Sequence, residues 1–159
     1  MLSNRKELDN FFMRQAIQQA RKAFENDEVP VGAVLVHQKK IVGRAFNQVR
    51  LLKDPTAHAE MLAITQGAES LQAERLLETT LYVTLEPCPM CVGAMILARI
   101  DRLVFGAHEM KTGACGSVIN LPADGKWNHR FKIEEGLLEF ESAALLREFF
   151  KKKRTGRGA

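Results

Sequence analysis

Leu81-Tyr82-Val83-Thr84-Leu85-Glu86-Pro87-Cys88-Pro89-Met90-Cys91 opens as a short apolar run of β-forming residues and closes on a proline-marked helix start. Such a run reads as a buried strand. Pro89 suits the first helical position, where its missing N–H has no intrahelical partner to lose, and the helix is expected to reach about Arg99. Arg102 to Ala107 reads as another strand, so a helix separates two strands here. Upstream, Ala33 to Val36 and Lys40 to Asn47 form a predicted hairpin around Gln38-Lys39, an unconventional turn pair. A hairpin followed by helix-separated strands calls for a mixed sheet.

Further out, Leu8, Phe12, Ala16, Ala20 and Phe24 recur four apart with Ile17 beside them, an apolar helical stripe. Glu28-Val29-Pro30-Val31-Gly32 ends that pattern. Asp54-Pro55-Thr56 marks another helix start, capped by Thr56 or Asp54, with the helix expected over Ala57 to about Ser70. Glu109 to Asn128 reads as loop with one short helix, Lys132 to Glu135 as a last strand, and Leu137, Leu138, Ala144, Leu145 and Phe149 as a C-terminal helix. The expected fold is α/β: a three-layer α/β/α sandwich with a central mixed sheet of about five strands and no internal repeat.

Composition narrows the function classes. At 159 residues, with 46% hydrophobic and 26% charged residues, the chain suits one globular domain and not a disordered or fibrous segment. Cys88 to Ala98, the longest near-apolar stretch, falls well short of the roughly 20 residues of a membrane helix. The N-terminal Met1-Leu2-Ser3-Asn4-Arg5-Lys6-Glu7 mixes both charge signs, unlike a secretory signal, so a cytoplasmic location is expected. Three cysteines exclude a disulfide scaffold and leave thiol or metal chemistry. There is no glycine-rich dinucleotide or P-loop motif, so no nucleotide cofactor is expected. Lys151, Lys152, Lys153, Arg154 and Arg157 concentrate positive charge, which divides the chain into a nearly neutral domain, 1–150, and a basic tail, 151–159. Such a tail fits an anionic polymer or, equally, a solubilising terminus.

Two segments carry the chemistry: His58-Ala59-Glu60 and Pro87-Cys88-Pro89-Met90-Cys91, each at a predicted helix start. Cys88 and Cys91, three apart at a helix N-terminus, can turn both sulfurs to one point, where the dipole favours thiolates. With His58 they supply three ligands of a tetrahedral Zn²⁺, and no further cysteine closes the set, since Cys115 lies in what reads as a tight loop. Three protein ligands and a water are the pattern of a catalytic site, not a structural one. Helical residues two apart point about 200° away from each other, so Glu60 is placed to exchange protons with that water and not to ligate beside His58. Taken singly, Cys-x-x-Cys also fits a redox pair or half a zinc knuckle, His58 a core or surface histidine, and Glu60 a solvated helix residue. His-x-Glu followed by Pro-Cys-x-x-Cys is the zinc deaminase signature.

Beyond the ligands, Glu28 to Val36, Asp54 to Glu60, Leu81 to Cys91, Val104-Phe105-Gly106-Ala107, Lys111-Thr112-Gly113, Asn128-His129-Arg130 and the Leu145 to Phe150 region closely resemble the bacterial tRNA-specific adenosine deaminases of the cytidine deaminase-like superfamily. The resemblance covers nearly the whole chain. It implies hydrolytic conversion of adenosine to inosine at the wobble position of a tRNA anticodon, by a homodimer with one Zn²⁺ per subunit. It also implies that Asn47 hydrogen-bonds the target base, although Asn47 alone would read as a turn residue closing a strand. Glu109 stands where the family usually has an aspartate, which alters any ribose contact made there. Phe149 and Phe150, followed by the lysines, combine aromatic and cationic groups as single-stranded RNA sites do, and helical spacing lets only one of them face inward. The competing readings are a deaminase of free guanine or cytosine bases or nucleosides, and a zinc-stabilised binding subunit without activity. Glu60 argues against the latter.

Overall fold

In the computed structural model, which describes residues 4–157, the chain runs α1 (Arg5–Glu25), β1 (Gly32–His37), β2 (Lys40–Phe46), α2 (Val49–Leu52), α3 (Ala59–Leu71), β3 (Thr79–Leu85), α4 (Pro89–Ala98), β4 (Arg102–Ala107), β5 (Lys132–Glu134) and α5 (Glu139–Arg157). The first three residues of the N-terminal segment and the last two of the basic tail lie outside the described residues. One open five-stranded sheet has the order β2-β1-β3-β4-β5. β1 pairs antiparallel with both β2 and β3, whereas β3, β4 and β5 run parallel, so the expected mixed sheet is the one found.

Period-two alternation assigns the two faces. Val34 and Val36 of β1, Tyr82 of β3 and Val104 of β4 pack with Phe12, Met13, Ala16 and Ile17 of α1, and Leu145 of α5 joins them. Their sheet neighbours Ala33, Leu35, Leu81, Val83, Leu103 and Phe105 face the other way, against Ala63 of α3 and Val92 and Met95 of α4. These central strands read as continuous apolar runs because both faces are covered. Gly43 permits the tight seat of α3 on β2, since a Cβ there would lie 2.3 Å from the Ala63 carbonyl oxygen.

The hairpin turn is as unusual as its sequence suggests. His37 pairs with Lys40, and both residues between them, Gln38 and Lys39, take positive φ values of 50° and 63° without glycine or asparagine. The helix expected from Ala57 starts instead at Ala59. Asp54 accepts hydrogen bonds from the Thr56 N–H and hydroxyl, closing a turn of its own, so neither residue caps the helix. The short α2 carries no signal in the sequence. α5 continues unbroken through Lys151 to Arg157, so the basic residues form its last turns.

One polar cluster crosses the α1 side of the sheet. Arg102, 3% exposed, donates to both carboxylate oxygens of Asp9 and to Glu134, while the Tyr82 hydroxyl also donates to Asp9. Burial would push the Asp9 carboxyl up, but the hydrogen bonds from Arg102 and Tyr82 outweigh it and hold it below the usual carboxylate range. α1, β3, β4 and β5 are thereby joined at one point.

Candidate metal centre and active-site cavity

Two helix starts converge at the C-terminal side of the sheet centre. His58 is the N-cap of α3 and Cys88 the N-cap of α4, both with extended backbone, and neither side chain caps its own helix. A residue of that kind normally spends its side chain on the free N–H groups of the first turn. Asn47, at the end of β2, takes over that duty for α3: its Oδ1 accepts the Ala59 N–H at 2.8 Å. His58 is thus released to face Cys88 and Cys91. Its Nδ1 lies 3.5 Å from each sulfur.

That spacing suits a bound cation. Zinc bonds of about 2.3 Å to sulfur and 2.0–2.1 Å to nitrogen at a tetrahedral angle give an N···S edge of about 3.6 Å. His58, Cys88 and Cys91 form the one group among the described residues whose ligand atoms could hold a metal, and Glu60 is outside it. The charge state points the same way. The hydrogen bond between the sulfurs draws the Cys88 thiol down to about 4, with His58 adding to the effect, and drives Cys91 up together with burial. The two sulfurs converge on one point, and a divalent cation bound there displaces their protons. The hydrogen bond that His58 donates to the Cys88 sulfur raises His58. Glu60, 4% exposed, is pushed up to about 7, chiefly by burial.

The cluster opens into a cavity of about 800 Å³. His58, Glu60, Cys88, Asn47, Glu109 and Phe149 all line it, although they come from positions 47 to 149. Cys91 is fully buried behind the wall. Phe149, 5% exposed, stands edge-to-face to Phe24 at 5.9 Å, whereas Phe150, 45% exposed, lies in a separate groove with Lys111, Arg147, Lys151 and Arg154. Adjacent helical positions have split between the two sites. One Glu109 carboxylate oxygen accepts the Lys111 N–H, and its own N–H donates to Glu86.

Two wall residues escape a reading of the sequence. Glu86, 2% exposed, accepts from the N–H groups of Glu109, Cys115 and Ser117 and from the Ser117 hydroxyl, which pins the 109–117 loop to the cavity. Burial works to raise this carboxyl, but the Ser117 hydrogen bonds, with those from Glu109 and Cys115, hold it below its ordinary value. A Cβ on Gly113 would meet the Glu86 carboxyl at 2.5 Å, so the loop closes this tightly only with glycine there. Glu28, fully buried, accepts the N–H groups of Arg50 and Leu51 and fixes α2 at the cavity mouth. An acid between a buried strand and a proline, or beside a helix end, is the available signal; its donors lie more than 20 residues away.

This fold and this site define the deaminase class, and a family profile described as MafB19-like deaminase matches residues 8–154. The tRNA-specific adenosine deaminase of Haemophilus influenzae is 48% identical, over 94% of this chain and 87% of that protein. The chloroplastic tRNA(adenine(34)) deaminase of Arabidopsis thaliana is 46% identical over 93% of this chain, which spans 12% of that much longer protein. A solved structure from studies of A-to-I editing by tRNA:A34 deaminases at the wobble position of transfer RNA superposes with a TM-score of 0.83 at 46% identity, covering 86% of this chain and 99% of its own. The chain belongs to the tRNA-specific adenosine deaminase family. Among the described residues no helix is long and apolar enough to cross a membrane.

Proposed function

We propose that this protein deaminates adenosine hydrolytically to inosine at the wobble position of a tRNA anticodon, releasing ammonia, with His58, Cys88 and Cys91 holding one Zn²⁺ per subunit. The observation that carries the reading is a buried carboxyl, Glu60, that lines the same cavity as His58 and Cys88 of the three-ligand cluster. Zinc held there by His58, Cys88 and Cys91 would supply Lewis acidity to activate a water toward neutral-pH attack. Glu60 takes one proton from the attacking water and delivers it to adenine N1 as C6 becomes tetrahedral, then takes the second from the new C6 hydroxyl and passes it to the departing amine, so that C6 becomes a carbonyl and ammonia leaves. Its burial, which favours the protonated form, suits a group that must carry a proton through the reaction. Asn47 commits Oδ1 to the Ala59 N–H, which leaves Nδ2 as the side chain's donor toward an acceptor on the base. Glu109, with one oxygen on the Lys111 N–H, has the other for a ribose hydroxyl.

The RNA assignment rests on the last turns of α5. Phe150 and the cations around it form a groove that adjoins the cavity at Lys153, the combination that stacks a base and holds phosphates. A free base or nucleoside would have no use for it. We infer a homodimer and a cytoplasmic location from family membership, and treat 1–150 as the catalytic domain with 151–159 its RNA-binding extension. The test is inosine formation by zinc-loaded protein on an anticodon stem-loop, beside free adenosine, guanine and cytidine. Turnover of the stem-loop alone is expected; faster turnover of guanine or cytidine would return the protein to the small-molecule deaminases, and none on any substrate would leave a binding subunit.

A further inference from the structure

The mouth of the cavity is crossed by an ion-pair bridge that the deamination chemistry does not use. Asp27 follows the end of α1 with left-handed backbone, φ 61°. One of its carboxylate oxygens pairs with the Arg50 guanidinium and the other with the Lys153 ammonium. The two cations come from different elements. Arg50 is on α2, whose position buried Glu28 fixes through the Arg50 and Leu51 N–H groups. Lys153 is on α5, where it also lies over the Phe149 ring at 5.5 Å, while Lys152 lies over Phe24 at 5.6 Å. Asp27, Arg50, Lys152, Lys153 and Gly156 all line the cavity that holds His58 and Glu60.

An anion with two oxygens, each taking one cation, has the donor-acceptor pattern of a phosphodiester with its two non-bridging oxygens. The carboxylate and Arg50 are more than half exposed, so the pairs are weak enough to exchange. We propose that Asp27 is an internal stand-in for a backbone phosphate of the substrate RNA, keeping Arg50 and Lys153 poised across the cavity mouth and yielding both cations when the RNA strand enters. This rests on the RNA reading above and adds to it a specific phosphate position beside the reacting base, together with a reason why α5 bridges the opening in the free protein. An anion without a phosphodiester's geometry or an approaching base gains less from displacing Asp27, which makes the bridge a selectivity element for polymer over free nucleoside.

A double-substitution cycle on the zinc-loaded full chain tests it, read as equilibrium binding of a fluorescently labelled anticodon stem-loop at fixed low salt. Asp27→Asn preserves shape and tolerates the left-handed backbone, and it removes the competitor; binding should tighten roughly three- to tenfold. The sign of the coupling then decides. If Arg50 is handed from Asp27 to phosphate, its loss is offset while Asp27 still competes for it and is felt in full only when the competitor is gone. Arg50→Gln should therefore weaken binding less than about twofold with Asp27 in place and roughly fivefold or more in the Asp27→Asn background, and Lys153→Gln should behave alike. A purely structural bridge predicts the reverse, because losing Arg50 would then bare the Asp27 charge toward the RNA. Equal costs in both backgrounds, or a larger cost with Asp27 present, would overturn the handover while leaving the deaminase reading intact. Failure of the unsubstituted protein to bind or convert the stem-loop would overturn both.

Discussion

His58 and Glu60 stand two residues apart and point to different places because the first is the N-cap of α3 and the second lies inside its first turn. The cap's extended backbone turns the imidazole to the sulfurs, and the helical position sends the carboxyl into the cavity, out of the ligand group. Glu60→Gln should therefore retain metal and bind the stem-loop, while turnover falls by roughly 10²- to 10⁴-fold, the usual weight of a general acid and base. Metal analysis beside single-turnover inosine formation checks both halves; metal lost together with activity would make Glu60 a ligand. Cys91→Ser should do the opposite, losing metal and with it folded yield, since metal binding energy is also folding energy. Metal content of the purified variant decides that.

At the level of elements, the site depends on the 109–117 loop, held by a buried acid, and on the last turns of α5. Glu86 serves four donors around the 109–117 loop, and Gln in its place would turn an amide N–H₂ toward N–H groups that need an acceptor. Glu86→Gln is expected to cost about 1–3 kcal/mol of stability and to speed hydrogen exchange at the Cys115 and Ser117 amides. Exchange confined to global unfolding would show that the loop is held otherwise. The last turns of α5 are the second element. Removing residues 151–159 should weaken stem-loop binding and reduce the slope of log K against log salt by roughly 0.7 to 0.9 for each phosphate no longer neutralised, with turnover at saturating RNA little changed. An unchanged slope would leave those turns a solubilising extension.

Across the whole molecule, Asp9, Arg102, Tyr82 and Glu134 join α1 to three strands. The Asp9–Arg102 pair is shielded from solvent, so breaking it leaves the buried guanidinium with the half-exposed Glu134 as its remaining carboxylate. Asp9→Asn should cost about 3–5 kcal/mol, read from urea unfolding at neutral pH. The sign of its pH dependence follows from the lowered Asp9 pKa. A carboxyl depressed in the folded state contributes its full stability above its unfolded value near 4 and loses it as pH falls through the folded one. The difference in unfolding free energy between the unsubstituted protein and Asp9→Asn should accordingly shrink as pH drops below about 4. A constant difference would assign the cost to packing alone.

Much of this architecture is present in the order of residues. Pro89 places the start of α4, alternation and apolar runs mark the strands, and Cys88, Cys91 and His58 have the spacing of ligands, because these are local properties of helices and strands read over a few residues. Phe149 and Phe150 divide as helical geometry requires. Local reading fails where the partner is distant. Asp54 and Thr56 look like caps for α3, but His58 is its N-cap, and the Ala59 N–H is satisfied by Asn47 from the β2 end. Glu28, Glu86 and Asp27 read as ordinary acids, since their donors lie 22 to 31 residues away for the two buried ones and on α2 and α5 for the third. A chain can announce which chemistry it carries through short-range spacing, whereas which acid is buried, and against which donors, is decided only when the layers close and desolvation makes each unpaired polar group costly.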